Sequence, residues 1–299
     1  MREGRLIANV TITTSAVFID QVWSPELNRA IQYDVVVSAL FDDKSGLVDQ
    51  HANTINLPSR HNLTANAKAA GTPLTPQAIT ETQQQFVLPM TNGHRAIAQQ
   101  IEDIAEIQSR YDIRAETTLA GAYALARQMD VDAAGVFNAA TNAVGTAGAE
   151  LTDDNLIAGR TSLRNNAAPR PWYIVVSPAT YSGFLKLEKF TNMLYVGTDD
   201  AGTAVEEAKV GRIYGADVYE SQLLSGTAPN SVGAYWSKTH YFKAVQRMPT
   251  THTWYSPLDL SWVVSMDCIY LMAERLEADE AAGVTTNSSN WAVRLNAVK

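Results

Sequence analysis

DIRAETTLAGAYALARQMDVDAAGVFNAA, residues Asp112 to Ala140, sets the apolar residues Ala115, Leu119, Ala122, Ala126, Met129, Ala133, Val136 and Ala140 at alternating steps of four and three. That spacing lays one stripe of mostly small side chains along a helix. Asp112 is placed to cap it, Glu116 sits near its positive end, and Asn142, Gly145 and Gly148 supply stop signals. A helix of about 28 residues makes a rod of roughly 40 Å, a scaffold element. Taken alone, it reads best as an ordinary core helix of an α/β domain.

Immediately upstream, Arg95 to Glu102 fits a helix through Ile97, Ile101 and Ile104 and a strand through Ile97, Gln99 and Ile101. Further back, NTINL (Asn53 to Leu57) alternates like a strand and stops at Pro58. A polar tract follows, Gly71, Pro73 and Pro76 mark a turn, and Phe86, Leu88 and Met90 alternate on the way back. This reads as a long two-stranded excursion with too few large apolar residues to form a core. Such a ribbon is marginal alone in water, so it needs a partner, most economically a neighbouring copy of the chain. The first 22 residues alternate weakly through Leu6, Ala8, Val10 and Ile12 and suit an extended arm; Ser24, Pro25 and Glu26 then carry the cap chemistry of a helix start.

Downstream, Thr152 precedes Asp153 and Asp154, with Leu156 and Leu163 on one face and Arg160 and Arg164 towards the end, matching the helix dipole. Pro169 and Pro171 stop that helix. WYIVV (Trp172 to Val176) is a fully apolar strand, and Ser177-Pro178 opens a helix through Leu187. After the loop GTDDAGTA, Gly211 to Ser221 gives two short strands around Gly215. Further strands are expected at Val232 to Trp236, Tyr241 to Gln246, Thr251 to Tyr255 and Leu260 to Ile269. Residues 285 to 299 read as a polar tail ordered only in an assembly.

Composition narrows the function. The 299 residues are 46% hydrophobic and 18% charged, a globular balance, and the net charge of -8 argues against a basic nucleic-acid surface. The single cysteine, Cys268, lies in an apolar run and reads as a buried, inert thiol. Neither a signal peptide nor an apolar run of membrane-spanning length is visible, which gives the expectation of a cytosol-like compartment with no membrane role. His51, His61, His94, His240 and His252 lack ligand spacing, so no metal is expected. Asp199 and Asp200 lack the ligand pattern of a calcium loop. Ser177 stands where a nucleophile elbow would put its serine, but its neighbours are not glycines and Pro178 removes a backbone N–H, so a helix cap is the better reading. No phosphate loop or dinucleotide fingerprint occurs, and neither a cofactor nor a catalytic residue is assigned. What remains is an arm, a ribbon, a rigid helix and a sheet-rich body. These are surplus surfaces for a monomer and suit a lattice subunit.

FIDQVWSPEL (Phe18 to Leu27), NTINLP (Asn53 to Pro58), the run from Ile101 through ALARQMDVD to Asp132, RPWYIVVSPATYSGFL (Arg170 to Leu185) and GRIYGADVYESQLL (Gly211 to Leu224) stand in one order across nearly the whole chain. In that order the chain resembles the major capsid proteins of tailed double-stranded DNA bacteriophages, the Hong Kong 97 fold. The resemblance implies an α+β fold with an N-arm at 1–49, an extended E-loop hairpin at 50–92, and a P-domain with a spine helix at 93–150. It further implies a sheet-rich A-domain at 151–245, P-domain return strands at 246–287 and a C-terminal tail at 288–299. It settles Arg95 to Glu102 as strand. It implies a shell of pentamers and hexamers around packaged DNA bound without sequence specificity, assembled in the bacterial cytoplasm. About twenty residues precede the FIDQVWSPEL stretch, so a separate scaffolding protein is expected, with a portal and in some cases a decoration or cement protein. Trp23, Arg60, Leu63, Lys68 and Phe86 are the candidate inter-subunit contacts. Two other readings stand beside it: an encapsulin-like nanocompartment shell and, from another class, a soluble hydrolase using Ser177.

Overall fold

A computed structural model describes residues 32, 34–48, 51, 53–59, 65–74, 76, 82–109, 112–187, 211–278, 287–288 and 291–299. The helix begun at Ser24 and the arm before it lie outside these residues. In chain order the described elements are α1 (Val37–Leu40), β1 (Asp42–Asp43), β2 (Thr54–Ser59), β3 (Thr82–Val87), β4 (His94–Glu102), α2 (Asp103–Gln108) and α3 (Ile113–Val136). There follow β5 (Ala143–Val144), α4 (Asp153–Asn165), β6 (Trp172–Val176), α5 (Pro178–Leu185), β7 (Arg212–Ile213), β8 (Ala216–Glu220) and β9 (Asn230–Ser237). The last are β10 (Tyr241–Ser256), β11 (Ser261–Glu274), β12 (Glu277–Ala278), β13 (Asn287–Ser288) and β14 (Ala292–Val298).

Two sheets organise the chain. One has the order β1-β10-β11-β4 and the other β5-β14-β9-β6-β8-β7; β2 pairs only with β3, and β12 with β13. Residues 94–102 are thus strand. The two segments expected at 241–246 and 251–255 are one strand, β10, with register shifts between Val245, Arg247 and Thr250.

The long helix α3 starts where Asp112 accepts a hydrogen bond from Ala115 N (3.0 Å). It crosses β11 and β4, where Gly121 admits the Met266 side chain: a Cβ there would lie 2.6 Å from Met266 Cε. Farther along, Asp132 gathers Arg95 from β4 (3.0 Å), Tyr270 from β11 (2.6 Å) and Gln128 from its own helix (2.8 Å). Burial and that carboxylate push the Tyr270 hydroxyl well above its ordinary value. The expected stripe divides in two. Ala133 and Ala140 are buried, whereas Ala115, Leu119 and Ala122 face outward, because the face that meets the sheet in the first half is Gly121 and Leu125.

Period-two alternation lets the six-stranded sheet serve two cores. Trp172, Ile174 and Val176 of β6, with Tyr235 of β9 and Val293, Leu295 and Ala297 of β14, pack under α4 and α5 with Leu156, Leu163 and Phe184. Val175, Ala234, Trp236 and Ala292 point the other way, joining Phe41, Phe137, Tyr241 and the spine helix. Gly233 fits because a Cβ would run into the Val175 carbonyl. Thr152 caps α4, accepting from Asn155 N (3.4 Å).

The chain's end requires a correction. Residues 292–298, expected as part of a tail ordered only in an assembly, form an interior strand between β5 and β9. The alternation Val293, Leu295, Ala297 is buried. The Val298 carbonyl accepts from Ser177, Thr180 and Ser231 (2.5, 3.0 and 2.8 Å), and Lys299 Nζ reaches the carbonyls of Leu224 and Gly226. The polar residues Thr285 to Ser289 hid a short apolar strand behind them.

Candidate inter-subunit surface

The ribbon has a root and a tip of opposite character. Ile55, Leu57 and Leu88 are buried against Phe242, Ala244 and Leu271 on the face of the four-stranded sheet opposite α3, and Phe86 meets Phe242 edge-on with ring centres 5.0 Å apart. Gln84 adds a clasp, accepting from Leu276 N (3.1 Å) and donating to Leu276 O. The ribbon is therefore supported at its base by its own chain, which its sparse apolar content did not lead us to expect. Beyond Ser59, every described residue from 65 to 74 is exposed, Lys68 among them.

The chain before the ribbon is fixed at one point. Asp130 of α3, fully buried, accepts from Ser38 N (2.7 Å) and Val36 N (3.3 Å), so it caps α1 from another helix. Burial raises its carboxyl above the usual 3.8, against those amides. Val37 and Phe41 then enter the core, and β1 pairs in parallel with the start of β10.

A third surface lies at the far end of the four-stranded sheet. Leu258 is 97% exposed and Ile107 82%; Ile104, Leu260 and Trp254 are exposed as well. The polar groups beneath them are satisfied internally. Tyr255 donates to Asp103 (2.8 Å), Asp103 N donates to Leu260 O (3.1 Å), and Arg114 lies 4.8 Å over the Trp262 ring while pairing with Glu106. Apolar side chains turned outward from an internally bonded scaffold mark an interaction surface. Our sequence reading missed it, although SPLDLSW (Ser256 to Trp262) placed two leucines in a hairpin turn where polar residues are usual.

A family model described as phage capsid protein matches residues 93–284. The chain belongs to the phage capsid protein family. Its fold is that of solved capsid proteins. It is similar to the chain of Mycobacterium phage Che8 (20% identity, TM-score 0.76, covering 93% of this chain and 97% of that one). A capsid structure of the cyanophage P-SCSP1u follows (14%, TM-score 0.75, 98% and 96%), as does the mature capsid of bacteriophage PhiM1 (13%, TM-score 0.71, 93% and 92%). The fold is the α+β Hong Kong 97 type. No curated protein matches the chain.

In this capsid protein, the candidate contacts fall unevenly. Lys68 is on the open tip of the ribbon and Phe86 at its anchored root; Trp23, Arg60 and Leu63 lie outside the described residues. Ser177 is 2% exposed and caps α5 through Thr180 N (3.3 Å) while its hydroxyl donates to the Val298 carbonyl. That hydroxyl is spent on structure. Cys268 is buried between the spine helix and the sheet, and burial pushes its thiol up. Among the described residues, no group of three potential ligands is placed to hold a metal, and no helix is long and apolar enough to cross a membrane.

Proposed function

We propose that this capsid protein is the major, non-enzymatic coat subunit of a tailed double-stranded DNA phage, assembling through pentamers and hexamers into an icosahedral shell. The observation that carries the reading is the ribbon, rooted on its own chain and exposed from 65 to 74, a reach that serves nothing inside one subunit. In this reading residues 1–49 are the N-arm, 50–92 the E-loop, 93–150 and 246–287 the P-domain and 151–245 the A-domain, with 292–298 added to the last. Assembly takes place in the host cytoplasm with a separate scaffolding protein and a portal, with room for a cement protein. The acidic chain encloses DNA without adhering to it. Lys68 and Phe86 remain the ribbon's proposed contacts.

Deleting residues 65–76 tests this. The subunit is expected to keep its thermal unfolding transition while electron microscopy and light scattering, positive for closed shells with the intact chain, show none. Normal particles from the deletion would remove the ribbon from the assembly; a monodisperse monomer from the intact chain expressed with its genomic neighbours would remove the coat reading itself.

A further inference from the structure

The long strand β10 has β11 along one side, but β1 covers only Phe242 and Lys243 on the other, with Ser45 Oγ accepting from Val245 N (3.0 Å) just beyond. From Thr250 to Ser256 the register with β11 is regular, Thr250 opposite Asp267 to Ser256 opposite Ser261, and the outer edge has no backbone partner among the described residues. Exposed edges are normally blunted by lysine, by proline or by a bulge. Here Pro249 and the register shifts come before this segment, and TTHTWYS itself carries no formal charge and no proline. Five of its seven residues, Thr251 to Tyr255, are exposed, although three of the seven are Thr, one Trp and one Tyr, which favour strands.

We propose that this edge pairs with the same edge of a second copy, antiparallel and centred on Thr253. The inference rests on the coat reading and names one of its contacts. The segment is self-complementary in that register. Thr253 meets the second copy's Thr253, His252 its Trp254, Thr251 its Tyr255 and Thr250 its Ser256, which are hydroxyl pairs or pairs of an aromatic ring with a β-branched or ring side chain. No like charges oppose. Apolar side chains flank the edge at both ends, the exposed Met248 at the register shift before it and Leu258, the most exposed large apolar residue described, in the turn after it. An isologous contact of this kind closes on itself and joins the two four-stranded sheets into one of eight strands.

The test is a cysteine at the centre. Directly opposed residues in an antiparallel pair have Cα atoms about 4.5–5.5 Å apart, within disulfide range. In oxidised particles, Thr253→Cys is expected to run as a covalent dimer on a non-reducing gel. Thr250→Cys, set about 20 Å from its own copy by this register, should stay monomeric. Thr253→Lys and Thr253→Glu, each opposing itself, should each lower particle yield at least tenfold, and co-expression of the two should restore it to within twofold. Thr253 is exposed, and the thermal transition of the free subunit checks that each variant folds. Thr253→Cys particles without dimer overturn the inference and leave the coat reading standing, as does a lysine variant that assembles like the original. Loss of assembly that the mixture does not rescue shows that some other chain lies on this edge and also overturns it. Failure of the unaltered chain to form particles overturns both readings.

Discussion

The ribbon tip at 65–76 and the chain's end at 285–299 look alike in sequence: both are built mostly of small and polar residues and lack a long apolar run. They end up at opposite extremes. The described part of the tip is exposed throughout, whereas residues 292–298 form an interior strand whose final carbonyl accepts three hydroxyls. Polarity of the flanking residues says little about whether a segment belongs to the body; three alternating apolar residues packed under α4 and α5 decide it.

The sharpest way to break this comparison is to remove residues 291–299. We expect the subunit to lose its cooperative thermal transition, since the cut strips β9 of its seven-residue partner and bares Trp236, Tyr235 and Ala234. A shortened chain that unfolds like the intact one would show that the end is an appendage after all. Next come single side chains. Leu295→Ala removes a fully buried residue and should cost about 2–5 kcal/mol in urea unfolding, while Phe86→Ala, half-buried at the ribbon root, should cost about half as much. Equal losses would mean that the ribbon is integral to the fold rather than grafted on it.

The smallest effect concerns Asp130, which fixes the other extension of the chain. Burial raises its folded carboxyl above 3.8, so its own contribution to stability is greatest below that value and is lost as pH rises through the folded value. Asp130→Asn keeps an acceptor for the Val36 and Ser38 amides without the charge. Its unfolding free energy should therefore fall less between pH 4 and 7 than that of the unaltered chain. A parallel pair of profiles would show that the carboxyl titrates alike in both states.

Much of the fold was legible. The caps at Asp112 and Ser177 and the strand WYIVV each follow from local chemistry, and the structure keeps all of them. What was not legible depended on distant partners. The small-residue stripe on α3 fits its helical period along the whole length, but which of the helix's residues are buried is decided by distant elements, Met266 meeting it at Gly121, off the stripe, and the amides of Val36 and Ser38 at Asp130. Asp130 reads as a solvated charge until a segment 92 residues earlier brings its amides to it. The surface at Trp254, Leu258 and Leu260 stayed hidden because alternation within a strand does not tell which strand ends a sheet.

The passage from one sheet to the other has a mechanical consequence. β9 ends at Ser237 in the six-stranded sheet and β10 begins at Tyr241 in the four-stranded one. Three residues can span no more than about 14 Å. The last residue of that span is pinned, because His240 is fully buried with its ring nitrogen 3.0 Å from Glu274 and its backbone bonded to Ser237 and Arg275. Phe41, Phe137, Trp236 and Tyr241 crowd the same spot, with ring centres 5.2–6.4 Å apart. The chain therefore crosses between the sheets inside the core that both of them share, and prising the two sheets apart would bare these four rings together.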